Sequence, residues 1–391
     1  MRVALVTDMF LPRRGGIELH VADLAARLAA AGHRVDVLTP MPGPDMPGVR
    51  RLPLSLLPGA GVTVTPRLFS ALDTALAAGD YDVAHCHATV FSPAAWAGVW
   101  TARRRGVPAV LTFHSLLRAS ARYLGAAHRA LGASRWPLAI TGVSTVVARQ
   151  ARGAAPGVAV EVLPNGVDVA WWARTPRPAH GRRASARRAA ERRGRELHLV
   201  CAMRLTRKKR PEALVRVTAA LCDALAPDGV RVRLTLAGEG PERPALERLV
   251  ARLGLADVVR LPGWRTRTEL RTLYHGADAF VLPTRDEAFG IAALEARAAG
   301  LPVIAWRGSG VADFVHDGAH GHLCTSDGEM TERLVALAGD PGRLAALAAR
   351  SRGEPPSAYD WDEVVARHVA TYEAAGARVE TAPAARRAAE R

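Results

Sequence analysis

The chain has 391 residues, of which 49% are hydrophobic, and a formal net charge of +16. This length exceeds one ordinary hydrophobic core and predicts two α/β domains of roughly 150 to 200 residues each. The sequence has no run of about 18 apolar residues, and its start resembles a strand rather than a signal peptide, so we expect a cytoplasmic protein without a membrane span. Four scattered cysteines argue against a disulfide framework and a zinc site.

The first part of the chain alternates strand and helix patterns. The predicted elements are a strand over 2–7, a helix over 16–31, and strands over 34–38, 107–113, 138–143 and 158–163. Repeated strand-then-helix units predict a parallel sheet with crossover helices. Ligands of such sheets bind beyond the carboxyl ends of the strands.

Three strand ends in this part carry polar or glycine-rich residues. Gly15 and Gly16 precede a helix, where glycine lets backbone amides approach an anion, although a plain turn explains the pair equally well. His114 follows a buried strand and is either a ligand contact or a capping or core histidine. Asn165 and Gly166 favour a tight turn with a structural role.

An arginine-rich stretch over 174–195, opened by prolines, marks the clearest change of composition. We interpret it as a linker between a first domain over 1–173 and a second over 196–358. A block of like charges is typical of a solvated segment; the functional alternative is a patch for an anionic membrane or nucleic acid.

The second domain begins with a buried strand over 197–203 that leads into clustered cations. Clustered cations after a strand are an arrangement that suits a pyrophosphate, and Arg204 and Lys209 are the candidates to offset its charge. The alternative is a basic helix start at the surface, which the helix dipole disfavours.

Two more strands, over 230–237 and 258–261, end in candidate ligand loops. Gly238 opens a Gly-Glu-Gly-Pro turn after the first of them. Trp264 and Arg265 follow the second, where Trp264 is either a ligand contact or a packing aromatic.

Glu287 and Glu295 flank the start of a predicted helix. A buried strand over 277–282 precedes them, Gly290 opens the helix, and a strand over 303–306 follows its end. The free amides and positive dipole end of this helix favour an anionic phosphate in the loop of Glu287. Glu295 lies more than one turn inside the helix, where it could accept hydrogen bonds from a ribose.

The whole segment 284–306 resembles the signature of the family 4 glycosyltransferases, which are retaining enzymes of the GT-B fold. The resemblance implies that Glu287 faces the transferred sugar and that Glu295 binds the ribose. It also implies base contacts from the loop of Trp264. By the same resemblance, the catalytic residues are Glu287, His114, Arg204 and Lys209, and the nucleotide-sugar-binding residues are Gly15, Gly16, Arg204, Lys209, Gly238, Trp264, Arg265, Glu287, Phe289, Gly290, Ile291 and Glu295.

The chain departs from the family pattern at three positions. Met203 stands where glycine is usual, Arg210 where a small residue is usual, and Asp313 where glutamate is usual. The first two leave the path of the cationic loop open.

Segments 8–12, 15–20, 85–92 and 112–116 are similar to the catalytic-subunit branch of the phosphatidylinositol N-acetylglucosaminyltransferases. This similarity implies UDP-N-acetylglucosamine as the donor, with GDP-mannose as the main competitor. It also implies a hydroxyl acceptor of the phosphatidylinositol type; the alternative is a soluble small-molecule acceptor, which other family members use.

We expect no cofactor and no metal requirement. Asp80-Tyr-Asp82 matches the letters of a metal-binding Asp-x-Asp but precedes a strand, and Arg204, Lys209 and helix amides can replace the ion. The mechanism that the resemblance implies is a retaining transfer in which the sugar-to-oxygen bond loosens before the acceptor attacks.

The predicted fold is α/β and GT-B, with two Rossmann-like domains whose parallel sheets face across a cleft. A helix over 359–373 is expected to cross back to the first domain, and 374–391 to form a disordered tail. The basic charge allows a rival class, a nucleic-acid-binding or membrane-binding module without catalysis. The sequence has no nucleic-acid-binding motif, so we predict no nucleic-acid partner and regard peripheral association with the inner face of an anionic membrane as the better use of the charge.

Overall fold

The computed structural model describes residues 1–13, 15–57, 62–175 and 196–389. The chain divides into two compact units, Met1–Gly166 with Ala358–Arg391 and Val167–Ser357. Each unit contains one parallel sheet with helices in its connections, which confirms the predicted pair of Rossmann-like domains. The predicted linker over 174–195 lies outside the described residues, apart from its first two.

The first unit follows the predicted alternation of strands and helices. Its described strands are β1 (Arg2–Thr7), β2 (Arg34–Thr39), β3 (Val49–Arg51), β4 (Val83–Ala88), β5 (Ala109–Phe113), β6 (Leu138–Gly142) and β7 (Val160–Val162). Its helices before the second unit are α1 (Gly16–Ala30), α2 (Arg67–Gly79), α3 (Pro93–Arg105), α4 (Ser120–Ala130) and α5 (Thr145–Ala154).

The order of the described strands is β3-β2-β1-β4-β5-β6-β7, and every pairing is parallel. The central strands β1, β4 and β5 are buried almost throughout, as is typical of parallel strands covered on both faces of the sheet. The chain extends the sheet first to one side of β1 and then to the other, so the switch point lies between β1 and β4.

The second unit repeats this architecture. Its strands are β8 (Glu196–Ala202), β9 (Arg231–Ala237), β10 (Val259–Gly263), β11 (Ala279–Val281), β12 (Val303–Trp306) and β13 (Gly321–Cys324). Its helices are α6 (Val169–Ala173), α7 (Pro211–Leu225), α8 (Arg243–Arg252), α9 (Arg267–His275), α10 (Ile291–Ala298), α11 (Asp327–Gly339) and α12 (Pro341–Gly353). The order β10-β9-β8-β11-β12-β13 places the switch point between β8 and β11.

Helix α6 belongs to the second unit, although the predicted first domain extends to residue 173. The ring of Trp172 lies 5.5 Å from that of Tyr274, and Arg271 donates a hydrogen bond to the carbonyl of Trp171. These contacts hold α6 against α9.

The last helix, α13 (Trp361–Ala389), is longer than the sequence predicts. It returns to the first unit, where Trp361, Tyr372 and Ala375 join the hydrophobic core. The predicted disordered tail from 374 is therefore wrong as far as Ala389, where the helix ends. Ala375 is buried and Arg378 donates a hydrogen bond to the carbonyl of Leu138, so this first part of the expected tail is packed on the unit. Within the described residues, no helix combines the length and the hydrophobicity that crossing a membrane requires.

Candidate active site

The candidate site of the second unit lies at the switch point of its sheet. Strands β8 and β11 are neighbours, and the loops after them contain the two predicted charged groups, the Arg204–Lys209 segment and Glu287. Carboxyl ends at a switch point form the crevice in which open α/β sheets bind ligands. The fold therefore brings together residues that are far apart in the chain.

Lys209 and Glu287 form an ion pair across these two loops. The Lys209 Nζ lies 2.6 Å from the Glu287 Oε2, and the side chains are only 29% and 11% exposed. Thr284 fixes the same junction by donating a hydrogen bond of 3.1 Å to the carbonyl of Lys209. Arg204 is exposed, and its guanidinium forms no ion pair within the described residues. One cation is thus held in place, whereas the other is available to an anion.

Arg210, one of the departures from the family pattern, locks the cationic loop. It has a left-handed backbone with φ of 57° and begins α7. Its guanidinium donates two hydrogen bonds to the Asp327 carboxylate, at 2.9 and 2.5 Å, and one of 2.9 Å to the carbonyl of Pro283. The larger side chain therefore ties the loop after β8 to the end of β11.

Helix α10 begins where the sequence predicts, directly after Gly290. This residue has φ of 96°, and a Cβ there would lie 2.7 Å from the Cγ2 of Val311, so glycine is required. Since the first amides of a helix lack intrahelical partners, the start of α10 at Ile291 presents donors and a positive dipole end beside Glu287. This arrangement favours a negatively charged group.

Glu295 is buried in α10, with 7% of its surface exposed. Burial is the main cause that raises the pKa of the Tyr274 hydroxyl, and the negative charge of Glu295 is the second. The carboxylate therefore lies deep in the unit.

Gly238 holds the loops after β8 and β9 together. Its amide donates a hydrogen bond of 2.8 Å to the carbonyl of Gly263, and a Cβ at this position would collide with the carbonyl of Met203. Leu205 donates to the carbonyl of Glu239 at 2.9 Å. The predicted Gly-Glu-Gly-Pro turn is thus hydrogen-bonded to the cationic loop that contains Arg204 and Lys209.

Trp264 and Arg265 follow β10 and differ in their availability. Trp264 is 45% exposed. This exposure would allow its ring to stack on a base and argues against the alternative of a packing aromatic in the core. Arg265 donates a hydrogen bond of 2.6 Å to the carbonyl of Pro262 and pairs with Glu269 at 3.2 Å, so its guanidinium is already bound at the start of α9.

The predicted Gly15–Gly16 loop belongs to the first unit and contains a carboxylate that the sequence analysis passed over. Helix α1 begins at Gly16, and Glu18 in its first turn is 4% exposed and lies directly against Gly15. Arg13 pairs with Glu18 at 3.0 Å. The carboxylate therefore occupies the helix start at which an anion is favoured.

His114 belongs to a cluster of buried histidines that sequence reasoning missed. The cluster is formed by His20, His85, His87, His114 and His368. The Nε2 of His114 lies 2.9 Å from the Nδ1 of His87, and His85 bridges Tyr372 and Thr112 at 2.9 and 2.7 Å. The predicted sugar contact is thus one member of a packed group on β4, β5, α1 and α13.

Burial keeps these imidazoles neutral. Desolvation, followed by the charge of His368, lowers the pKa of His114 to about 3, and desolvation lowers that of His368 to about 4. The same cause lowers the pKa of His20, His85 and His87. His114 can therefore exchange hydrogen bonds at neutral pH but bears no positive charge.

The Asp80-x-Asp82 sequence lies against Arg2. Its two carboxylates are 2.6 and 3.9 Å from the Arg2 guanidinium. Across the described residues, no group of three or more His, Cys, Asp or Glu side chains has an arrangement that could hold a metal ion.

Two doubly wound units, one with a Lys–Glu pair and a helix start at its switch point, define a nucleotide-sugar transferase of the GT-B class. Residues 14–171 match the family model described as Glycosyltransferase Family 4, and residues 183–351 match the one described as Glycosyl transferases group 1. The chain belongs to the family 4 glycosyltransferases and is an enzyme. The alternative of a binding module without catalysis is set aside.

The relatives are named for an inositol phosphate. A D-inositol 3-phosphate glycosyltransferase of Salinispora tropica is 32% identical over 90% of this chain and 79% of its own length. One from Catenulispora acidiphila is 30% identical over 92% of this chain and 91% of its own. The expected place in the phosphatidylinositol N-acetylglucosaminyltransferase branch is therefore wrong, because these relatives are named as inositol phosphate glycosyltransferases.

The fold has close counterparts among solved structures. HepE of Anabaena, in complex with UDP and glucose, matches with a TM-score of 0.73 and 20% identity over 95% of this chain and 99% of that one. This similarity establishes the fold.

Proposed function

We propose that the enzyme transfers a sugar from a nucleoside diphosphate sugar to a hydroxyl group of a small polyol phosphate of the inositol phosphate class. The observation that supports this acceptor is the name of relatives that match 90% or more of the chain. A lipid of the phosphatidylinositol type, which the sequence analysis placed first, becomes the second candidate.

The proposed donor is UDP-N-acetylglucosamine, with GDP-mannose as the competitor. This order keeps the expectation from the sequence, and the donor comparison described below tests it. The diphosphate would lie between Arg204, Lys209 and the start of α10, because Lys209 pairs with Glu287 beside that helix start and Arg204 belongs to the same loop as Lys209.

Transfer begins as the bond between the anomeric carbon and the diphosphate oxygen loosens. Negative charge then grows on the departing diphosphate, where Arg204, Lys209 and the α10 amides stabilise it without a metal ion. Glu287, released from or shared with Lys209, orients the sugar. The acceptor hydroxyl attacks from the face that the diphosphate leaves and gives its proton to the departing diphosphate oxygen, so the configuration is retained.

The test is mass spectrometry of products from a matrix of donors and acceptors. The donors are UDP-N-acetylglucosamine, UDP-glucose and GDP-mannose, and the acceptors are inositol 1-phosphate, inositol 3-phosphate, inositol and phosphatidylinositol vesicles. The proposal predicts a glycosylated inositol phosphate with one donor class, absent with the Glu287→Ala variant. Product on the lipid alone, or on none of these acceptors, contradicts the acceptor assignment.

A further inference from the structure

The first unit contains a large apolar groove that the proposed transfer does not use. It has a volume of about 1290 Å³ and lies between α2, α3 and α4. Trp96, Trp100 and Arg104 follow one another at every fourth position of α3 and form one wall, while Phe113 and Ile140 of the sheet form the floor. The groove is too large and too apolar to be an ordinary packing defect.

Exposed hydrophobic side chains converge on the groove. Val64 is 60% exposed, Phe69 46%, Phe91 59% and Leu131 57%, and all four line it. Single exposed hydrophobic residues are common on protein surfaces, whereas a contiguous apolar patch with aromatic members marks an interaction site.

The helices around the groove are strongly basic. Helices α2, α3 and α4 contain six arginines, which are Arg67, Arg103, Arg104, Arg105, Arg122 and Arg129. Their one acidic residue, Asp73, is already paired with Arg105 at 2.6 Å. The guanidinium of Arg103 lies 4.5 Å from the centre of the Trp136 ring, so a cation is fixed at the apolar wall. The partner of this face is therefore both apolar and anionic.

Charge decides between the candidate partners. A second copy of the chain, docked through the same face, would place arginines opposite arginines. An anionic bilayer supplies phosphates for the guanidinium groups at its surface and acyl chains for the aromatic side chains just beneath them. We propose that this groove docks the enzyme on an anionic membrane surface.

Docking of this kind goes beyond the proposed function and is independent of the acceptor. The aromatic side chains enter the boundary between head groups and acyl chains, and the arginines bind lipid phosphates. Binding then has an apolar and an electrostatic component, which experiments can separate.

The experiment is sedimentation of the full chain with vesicles of phosphatidylcholine, with or without phosphatidylglycerol. Quenching of tryptophan fluorescence by brominated acyl chains reports insertion. The test variants are Phe69→Ser with Phe91→Ser, and Arg104→Glu; the controls are Leu253→Ser and Arg252→Glu on exposed positions of the second unit. Unchanged melting temperatures establish that each variant is folded.

The proposal predicts binding to phosphatidylglycerol vesicles, with quenching, and little binding to phosphatidylcholine alone. Arg104→Glu should weaken binding roughly fivefold or more, since a cation near an anionic surface contributes on the order of 1 kcal/mol. The Phe69→Ser, Phe91→Ser variant should lose quenching, and both controls should bind as the wild type does.

Three results would overturn it. One is equal sedimentation with both vesicle types, and another is equal loss in test and control variants. The third is concentration-dependent dimerisation, lost in the phenylalanine variant, without lipid binding, which would assign the groove to a second copy.

Discussion

The Nζ of Lys209 lies 2.6 Å from the Oε2 of Glu287 and joins the loops that follow β8 and β11. The two residues are 78 positions apart in the chain and are both largely shielded from water. The carboxylate orients the lysine, and the lysine offsets the charge of the carboxylate. We expect the bound diphosphate to pair with Lys209 in place of Glu287, so that the Glu287 carboxylate can contact the sugar.

Removing the positive charge of Lys209 should slow the transfer reaction. Lys209→Ala should lower kcat/KM by roughly a hundredfold or more if the ammonium group stabilises the departing diphosphate. Lys208→Ala is the matched control because Lys208 is the exposed neighbour of Lys209. Steady-state kinetics with saturating acceptor measure the effect. Near-normal turnover by Lys209→Ala would remove this lysine from the mechanism.

The pair should also contribute to stability as a unit. Lys209→Ala and Glu287→Ala each leave one charge without its partner, so each should lower the free energy of unfolding. The double variant should lose less than the sum of the two, with a coupling of roughly 0.5 to 3 kcal/mol. Urea unfolding of the four proteins gives this value. Additive losses would mean that the observed contact has no net strength in solution.

The histidine cluster predicts a loss of stability in mild acid. Histidines in the unfolded chain take up protons near pH 6.5, whereas burial holds the pKa of His114 at about 3 and that of His368 at about 4. The unfolded state therefore binds more protons below pH 6.5, and the free energy of unfolding falls as the pH is lowered from there towards 4. The expected decrease is roughly 1 kcal/mol for each buried histidine by pH 5.5.

Asp8 acts in the opposite direction, since desolvation by burial raises its pKa to about 6. One carboxyl group cannot offset five histidines, so the net loss remains. Urea titrations between pH 7.5 and 5 measure the slope. His85→Gln should reduce it, and His316→Gln at an exposed position should not. A free energy of unfolding that is constant over this range would contradict the neutral cluster.

Gly238 should be the least replaceable residue of the donor loops. Gly238→Ala forces a Cβ into the carbonyl of Met203 and a side chain onto a φ of 139°, so we expect a loss of about 3 kcal/mol or more, together with weaker nucleotide binding. Gly308→Ala is the control, because a Cβ there meets no atom within 4 Å. Differential scanning fluorimetry compares the two. Equal melting temperatures would mean that the loop can move away without loss.

Local sequence patterns indicated the separate segments of the candidate donor site but not the contact between them. The strand before Arg204, the glycine before Ile291 and the glutamate between them are short-range signals, because each depends on its neighbours in the chain. The ion pair between Lys209 and Glu287 depends on β8 and β11 becoming adjacent strands. Sheet order is a long-range property that hydrophobic periodicity does not contain.

The histidine cluster could not be predicted from the sequence, for a related reason. His85 and His87 interrupt the hydrophobic pattern of β4, and each looks polar until its neighbours from α1, β5 and α13 are known. The last helix was underestimated because the burial of Ala375 depends on the core of the first unit rather than on local propensity. Arg210, which departs from the family pattern, gains its role through Asp327 on α11 and the carbonyl of Pro283, both far from it in the chain.

We expect a nucleoside diphosphate to bind between the cationic loop and the start of α10 without a metal ion. Isothermal titration calorimetry with UDP and GDP, in buffer containing EDTA, tests it most directly. We predict binding of one nucleotide by the wild type and by Lys208→Ala, and roughly tenfold or weaker binding by Lys209→Ala, because charge-assisted hydrogen bonds contribute about 1.5 to 3 kcal/mol. The absence of binding without a divalent ion would contradict metal-free binding. Equal affinities of Lys209→Ala and the wild type would contradict the role of Lys209 in binding the diphosphate.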